Sequence, residues 1–81
     1  MAVTIRLFAA ARAAAGVSEL QGQPGTLQSV LDALTTEHPD LTEVLPRCSF
    51  LVNGTATHGD PAGVVVEEGV EVDVLPPFAG G

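Results

Sequence analysis

Two stretches of alternating residues, one near each end of the sequence, constrain the fold of this chain more than any other feature. In residues 3–8 the first, third and fifth positions are apolar, and in residues 70–74 valines alternate with Glu71 and Asp73. This period of two is typical of strands that bury one face and expose the other. We therefore expect a strand at each end, with the two paired in parallel at the centre of a mixed sheet.

The best helix signal lies between these strands. Its apolar residues recur at the i, i+3, i+4 and i+7 spacing of an amphipathic helix. They are Leu27, Val30, Leu31 and Leu34. Thr26 is the predicted N-cap. Pro39 disfavours a helical conformation in the residue before it, so the helix is predicted to end near His38.

Shorter elements complete the predicted order. Before the main helix they are a helical turn at residues 9–15 ended by Gly16, a brief strand at residues 18–21 and a turn at residues 22–25. After it they are a helical turn around Leu41 and Leu45 and a hairpin at residues 48–57 that turns at Asn53 and Gly54. A short apolar segment follows at residues 64–66. One helix among short strands predicts an α+β fold: a mixed sheet of four to five strands with one main helix across one face. We expect residues 1–75 to form a single domain and residues 76–81 a flexible C-terminal tail.

Length and composition limit what the chain can be. At 81 residues it is one small domain, and with 46% hydrophobic but only 4% aromatic residues its core is predicted to consist of Val, Leu and Ala, filled out by Phe8 and Phe50. Ten acidic residues against three arginines give a net charge of −7, which disfavours nucleic acid and anionic membranes as partners and suits a basic docking surface. No residue is a lysine, so the chain cannot be modified on a lysine side chain.

Side chains that often carry chemistry are few. Cys48 is the only cysteine, which excludes an internal disulfide, fits a reducing compartment and predicts a cytoplasmic protein. It is interpreted as a small buried apolar residue rather than a nucleophile. His38 and His58 have no second ligand at metal spacing, so we predict no metal site and no cofactor bound by the chain. Four acidic residues form either a docking face for basic partner residues or a solvated edge. They are Glu67, Glu68, Glu71 and Asp73.

The sequence ends on two glycines after a stiff segment. Gly80 and Gly81 have no Cβ, so they can lie extended in a channel too narrow for side chains and present the Gly81 carboxylate to a partner's active site. Pro76 and Pro77 fix φ and direct Phe78 away from the domain. An ordinary frayed terminus is the alternative, but the order of strand, Pro-Pro, apolar residue and Gly-Gly favours a functional tail.

The Gly81 carboxylate needs activation before it can react. A carboxylate is a poor acyl donor, because its oxygen is a poor leaving group. Adenylation by ATP on a separate enzyme would convert it to an acyl-phosphate mixed anhydride, which sulfur or an amine can attack. Attack by sulfur leaves a thiocarboxylate, which is a reactive sulfide carried on a protein.

In these features the chain resembles the ubiquitin-like sulfur carriers, and most of all the small subunit of molybdopterin synthase. The matching segments, in family order, are Ile5-Arg6-Leu7-Phe8-Ala9 followed by Arg12, the helix from Thr26, Leu51-Val52-Asn53-Gly54, Gly69-Val70-Glu71-Val72 and Pro76-Pro77-Phe78-Ala79-Gly80-Gly81. The resemblance implies a β-grasp (ubiquitin-like) fold. It also implies a non-catalytic, sulfur-donating subunit that acts in molybdenum cofactor biosynthesis.

The resemblance further implies partners and residue roles. Gly81 would be adenylated with ATP by an E1-like adenylyltransferase and would then carry covalent sulfur from a sulfurtransferase or another sulfur donor. The large synthase subunit would receive the tail and build the dithiolene of molybdopterin from cyclic pyranopterin monophosphate. Arg12 is an implied partner contact, and Gly80 would thread the channel. The implied docking segment consists of Pro76, Pro77, Phe78 and Ala79.

The sequence departs from the family pattern at two points. Family members often have an acidic residue after the arginine and two aromatic residues before the Pro-Pro pair, whereas here Ala13 follows Arg12 and Val74-Leu75 precede Pro76. Three other functions stay open: a related carrier for thiazole or cysteine synthesis, a protein modifier that forms an amide with a target lysine, and an interaction module with an inert tail. The Pro-Pro pair favours the molybdopterin branch over the thiazole branch.

Overall fold

The two terminal strands lie side by side at the centre of a five-stranded mixed sheet in the computed structural model, which describes residues 2–57 and 59–76. β1 (Val3–Leu7) pairs in parallel with β7 (Glu71–Leu75). Both predicted strands and their parallel pairing are confirmed. Because the inward side chains of both strands are buried, this pairing also forms the middle of the core.

A short helix, α1 (Ala9–Ala15), follows β1 and ends at Gly16 as predicted. Gly16 has a φ of 78°, and its N–H donates to the Arg12 carbonyl at 2.9 Å. Glycine suits this left-handed C-cap because it has no Cβ. At the other end of the helix, the Phe8 N–H donates to the Val74 carbonyl at 3.1 Å, so the start of α1 is tied to β7.

Three further strands extend the sheet on either side of the central pair. β2 (Glu19–Gly22) is antiparallel to β1, and β4 (Ser49–Val52) is antiparallel to the other edge of β7. β5 (Thr55–Ala56) returns from β4 through the predicted turn, where Asn53 and Gly54 have φ of 49° and 81°. Asparagine and glycine tolerate these left-handed conformations best, which explains why the dipeptide predicts the hairpin.

The main helix, α2 (Leu27–Glu37), packs across one face of the sheet as predicted. Thr26 and Ser29 form a reciprocal capping box, because each side-chain oxygen accepts from the backbone N–H of the other residue at 3.1 Å. The helix ends at its C-cap His38, directly before Pro39, as the sequence predicts.

A second, two-stranded sheet differs from the prediction. Its antiparallel strands are β3 (Gly25–Thr26) and β6 (Val65–Val66), whereas the sequence predicts a turn at residues 22–25 and an isolated apolar piece at residues 64–66. Two residues are too few to show a period, so the sequence carries no signal of this pairing. The pairing joins the start of α2 to the chain that leads into β7.

The chain between α2 and β4 forms two 3-10 turns, Pro39–Thr42 and Leu45–Arg47. The sequence predicts one helical turn before Pro46, but Pro46 lies inside the second 3-10 turn. A proline is tolerated there, because the N–H groups of a first helical turn have no partner within the helix. Leu41 and Leu45 are buried and anchor the two turns to the core.

The core consists of aliphatic side chains, as the low aromatic content predicts. Every buried residue of the described chain is apolar. These residues are Val3, Ile5, Leu7, Ala11, Leu27, Val30, Leu31, Leu34, Leu41, Leu45, Val66, Val72 and Val74. Phe50 packs against this cluster but is only partly buried. The prediction that Phe8 fills out the core is wrong, because Phe8 is half-buried outside the cluster, beside Arg6 at the end of β1.

Alanine substitutions at two neighbouring valines of β6 test how much the fold depends on this small strand. Val66 is 1% exposed and Val65 is 69% exposed. We expect Val66→Ala to lower the free energy of unfolding by about 2 kcal/mol, through lost apolar burial and the cavity left behind. Val65→Ala loses the same atoms from the surface and should change it by less than about 0.5 kcal/mol. Urea unfolding followed by circular dichroism measures both values, and equal losses would contradict the burial of Val66 in the core.

Candidate functional site at the root of the C-terminal tail

The strand that leads into the tail is held on both sides. β7 pairs with β1 on one edge and with β4 on the other, and its inward residues Val72 and Val74 are fully buried. The chain therefore reaches the exposed Pro76 from a fixed base.

Six residues singled out from the sequence lie outside the described part of the chain: His58, Pro77, Phe78, Ala79, Gly80 and Gly81.

An apolar groove of about 280 Å³ lies beside Pro76. One wall is the start of α1, and the other is the segment around the second 3-10 turn. The lining residues are Phe8, Ala9, Ala10, Ala11, Glu43, Val44, Arg47, Cys48 and Pro76. Apolar walls with a few charged groups among the lining residues suit a contact with another protein segment.

The groove is a feature that sequence reasoning missed. Its lining comes from three separate segments of the chain, which only the fold brings together. Ala9 has a φ of 52°, in the left-handed region that alanine rarely adopts, and this bend turns the chain from β1 into α1. The one available signal was the alanine run, whose small side chains allow close approach of other groups.

Arg12 does not line this groove. It is exposed in the last turn of α1 and borders a separate depression with Ala13, Gly16 and Glu19 among others. Arg12 and Pro76 therefore lie at different surface features, although the same short helix contributes to both. The role of Arg12 as a partner contact stays a prediction.

Cys48 has the character of a small structural residue. Its side chain is half-buried, and the thiol donates to the Val44 carbonyl at 3.3 Å. Burial raises the pKa of the Cys48 thiol, so less thiolate is present at neutral pH than at an exposed cysteine. Cys48 is thus half-buried rather than buried as the sequence predicts, and its raised thiol pKa favours a structural residue over a nucleophile.

The sheet face opposite α2 carries charged side chains around Arg6. Arg6 Nη1 donates to Glu71 Oε1 at 2.9 Å, and the guanidinium lies 5.5 Å from the centre of the Phe8 ring. The hydrogen bond with Glu71, and then the charges of Glu71, Asp73 and Glu19, raise the pKa of Arg6 above its ordinary value. Glu71 and Asp73 therefore lie around a basic residue of the same chain. Both predicted roles of the acidic residues, a docking face and a solvated edge, stay predictions.

The described residues were also compared with the patterns of a metal site and of a membrane-spanning helix. Within residues 2–57 and 59–76, no three His, Cys, Asp or Glu side chains are grouped as metal ligands would be. None of the helices there has the length and apolar character to cross a bilayer. The α-helices α1 and α2 have 7 and 11 residues, against about 20 for a membrane span.

The fold and the sequence together define the class of protein. A five-stranded mixed sheet with one main helix across it is the β-grasp architecture of the ubiquitin-like proteins. The model of the ThiS family matches residues 5–81, so the chain belongs to the ThiS family and is a sulfur carrier of this type. Small sulfur carriers of this type are non-catalytic subunits. The resemblance found in the sequence is thereby confirmed at the level of the family.

Solved structures share the whole fold. SAMP1 from Haloferax volcanii is 26% identical with both chains fully covered and a TM-score of 0.82. Small archaeal modifier protein 1 from Methanosarcina acetivorans is 29% identical, covering 99% of this chain and 96% of that one, with a TM-score of 0.79. A chain from the complex of subunits 1 and 2 of the molybdopterin-converting factor of Helicobacter pylori 26695 has the same fold at 23% identity, with both chains fully covered and a TM-score of 0.70. No curated protein matches the chain significantly.

The environment of Cys48 predicts slow thiol chemistry in the folded protein. We expect iodoacetamide to alkylate Cys48 markedly more slowly at neutral pH in the folded state than in urea, because burial restricts access and raises the pKa of the thiol. The folded-state rate should keep rising with pH after the unfolded-state rate has levelled off. Intact-mass time courses at several pH values measure both rates, and identical pH profiles in the two states would contradict this account of the groove wall.

Proposed function

We propose that this chain is the sulfur carrier subunit of a molybdopterin synthase, with the Gly81 carboxylate as the group that is activated and thiolated. The observation that carries the proposal is the anchored strand from which the chain continues into the tail sequence. A strand paired on both edges leads directly into Pro76-Pro77-Phe78-Ala79-Gly80-Gly81, and the family match extends to residue 81. The domain provides a rigid base, and the chemistry takes place at the end of the tail.

The first step is activation by a separate E1-like adenylyltransferase. A Gly81 carboxylate oxygen attacks the α-phosphate of ATP, which releases pyrophosphate and forms the acyl-adenylate. A sulfur nucleophile from a sulfurtransferase or another donor then attacks the acyl carbon, and AMP leaves with the original carboxylate oxygen. With sulfide as the nucleophile, the product is directly a Gly81 thiocarboxylate. With a persulfide donor, the first product is an acyl disulfide, and a thiol of the donor protein then attacks the donor's sulfur, so that the thiol is oxidised to a disulfide and the Gly81 thiocarboxylate leaves. ATP is a substrate of the activating enzyme, and the sulfur is the only group that the carrier itself holds.

The second step is delivery of sulfur to the large synthase subunit. Gly80 and Gly81 pass through a narrow channel because neither has a Cβ, and a docking segment precedes them: Pro76, Pro77, Phe78 and Ala79. The sulfur is used there to build the dithiolene of molybdopterin from cyclic pyranopterin monophosphate. The Helicobacter pylori structure, which is a complex of subunits 1 and 2, supports a large-subunit partner of this kind. We place the reaction in the cytoplasm, consistent with a single free cysteine.

A specific observation favours protein modification as the second candidate. The two small archaeal modifiers are 26% and 29% identical to this chain over nearly their whole length. Modification would start from the same acyl-adenylate, but the final nucleophile would be the amine of a target lysine and the product an amide. The chain has no lysine of its own, so it would be attached to targets without forming polymers through its own lysines.

Mass spectrometry of the C-terminal peptide tests the primary proposal. After incubation with ATP, an E1-like enzyme and a sulfide source, cleavage at Glu71 releases residues 72–81, which contain neither methionine nor cysteine. A shift equal to replacement of one oxygen by sulfur can therefore not come from oxidation of those residues. We expect this shift on Gly81, and none in a variant that lacks Gly81.

The product identifies the function. Molybdopterin formed on addition of a large subunit supports the synthase assignment, whereas amide conjugates on lysines of cell proteins, with no thiocarboxylate, would support the modifier. Absence of the sulfur shift with several active E1-like enzymes would overturn the carrier assignment for this chain.

Substitution of Gly80 tests the need for a tail without side chains. A Cβ at this position should obstruct a channel fitted to glycine, so Gly80→Ala is expected to lower the rate of sulfur transfer on the order of 100-fold. Gly63→Ala is the matched control, because a Cβ there would meet no atom within 4 Å and the backbone needs no positive φ. Transfer rates from purified thiocarboxylated carriers measure the effect, and equal rates for the two variants would contradict threading.

A further inference from the structure

The groove beside Pro76 has room for an aromatic side chain. Its volume is about 280 Å³, and a cavity of about 150 Å³ is enough to hold a benzene ring. Most of its lining is apolar, and Phe8 supplies one aromatic ring for another to pack against. Apolar surface that is open to water favours an apolar occupant.

The charges of the groove permit an occupant from this acidic chain. Glu43 and Arg47 are the two charged residues among its lining, and their charges have opposite signs. A segment of a chain with net charge −7 therefore meets no excess of negative charge there. A strongly basic partner, by contrast, would gain no net attraction from this lining.

The chain brings an aromatic residue of its own to the groove. Pro76 lines the groove, and Phe78 follows two residues later, which is a separation of roughly 7 Å in an extended chain. Phe78 is the only large apolar residue in the sequence of residues 77–81. A group on so short a connection has a high effective concentration at the groove, so it is favoured over an occupant from free solution.

The alternation of β7 places position 78 on the side of the groove. Val72 and Val74 are fully buried, and they belong to the same core cluster as Ala11, which lines the groove. Residues two apart in an extended chain lie on the same side, so positions 76 and 78 continue the series of these two valines. Two prolines favour an extended backbone, and their fixed φ angles reduce the entropy lost on ordering.

We propose that the Phe78 side chain occupies the groove beside Pro76 of the same molecule when the chain is free. The sequence alone predicts that the two prolines direct Phe78 away from the domain, but that expectation takes no account of the groove. The contact goes beyond the proposed function, because it belongs to the free chain and needs no enzyme. A protein that takes up the tail would have to displace this ring first, so the contact would hold the tail on the domain until a partner binds.

Cys48 reports on the occupancy of the groove, because it lines the groove and is the only thiol of the chain. Phe78→Ala removes the ring, and Phe78→Leu keeps a large apolar side chain. Val65→Ala is the matched control, because it removes an exposed apolar side chain that does not line the groove. Intact-mass time courses with iodoacetamide, at one pH and several protein concentrations, give the alkylation rate of each folded chain. Melting temperatures confirm that the variants are folded.

The expected result is a rise of about 3-fold in the Cys48 alkylation rate with Phe78→Ala, which corresponds to a groove that is occupied about two thirds of the time. Phe78→Leu should remain close to the wild type, and Val65→Ala should match it. In the wild type, nuclear Overhauser contacts should join the Phe78 ring to the methyl groups of Ala10 and Val44, which line the groove.

Two results would overturn the inference. Equal alkylation rates for Phe78→Ala and the wild type, or absence of the Overhauser contacts, would show that the ring does not occupy the groove and would leave the proposed carrier function untouched. A wild-type rate that rises on dilution would place the tail of a second copy in the groove and would exclude the contact within one molecule.

Discussion

The parallel pairing of β1 with β7 is the interaction on which the rest of the structure depends. It brings the first and last strands together at the centre of the sheet, where Ile5 lies opposite Val72 and Leu7 opposite Val74. All four side chains are buried against the helical side of the molecule. A small domain of this length has little core to spare, so the strand that carries the tail cannot detach without disrupting the centre of the fold.

The residues of β7 alternate between the core and a charged surface. Its inward valines hold the strand in the core, and its outward Glu71 and Asp73 lie around Arg6 on the sheet face opposite α2. The strand then passes directly to Pro76 at the edge of the apolar groove. One strand therefore connects the core, a charged surface and the residue at which the proposed reactive tail begins.

The chain belongs to the ThiS family and shares its fold with archaeal modifiers at 26% and 29% identity. The proposed sulfur transfer and the alternative protein modification would both start from an activated C-terminal acyl group. Sulfur and amine both react with an acyl-adenylate, so on this proposal the domain alone does not determine which nucleophile attacks. On this proposal the choice between the two outcomes depends on partners, and the groove beside Pro76 is a candidate surface for their recognition.

Local interactions made much of the fold predictable from the sequence. The alternation in both terminal strands, the Thr26 cap with its apolar helix stripe, and the Asn53-Gly54 turn each depend on residues close together in the chain, so the sequence alone determined these elements. The Gly-Gly end after Pro-Pro predicts a functional tail, and this role stays a prediction. What the sequence could not specify were contacts between distant segments.

Only the tertiary structure decided four features, and each has the same physical cause. The pairing of β3 with β6, the position of Phe8 outside the core, the groove beside Pro76 and the unpaired oxygen of Asp73 all depend on which segments meet in space. Asp73 shows this most clearly, because its sequence neighbours predict only an outward carboxylate. Whether that carboxylate accepts a hydrogen bond depends on the orientation of the Arg6 side chain, which lies nearly seventy residues earlier in the chain. In the structure Arg6 donates to Glu71 instead.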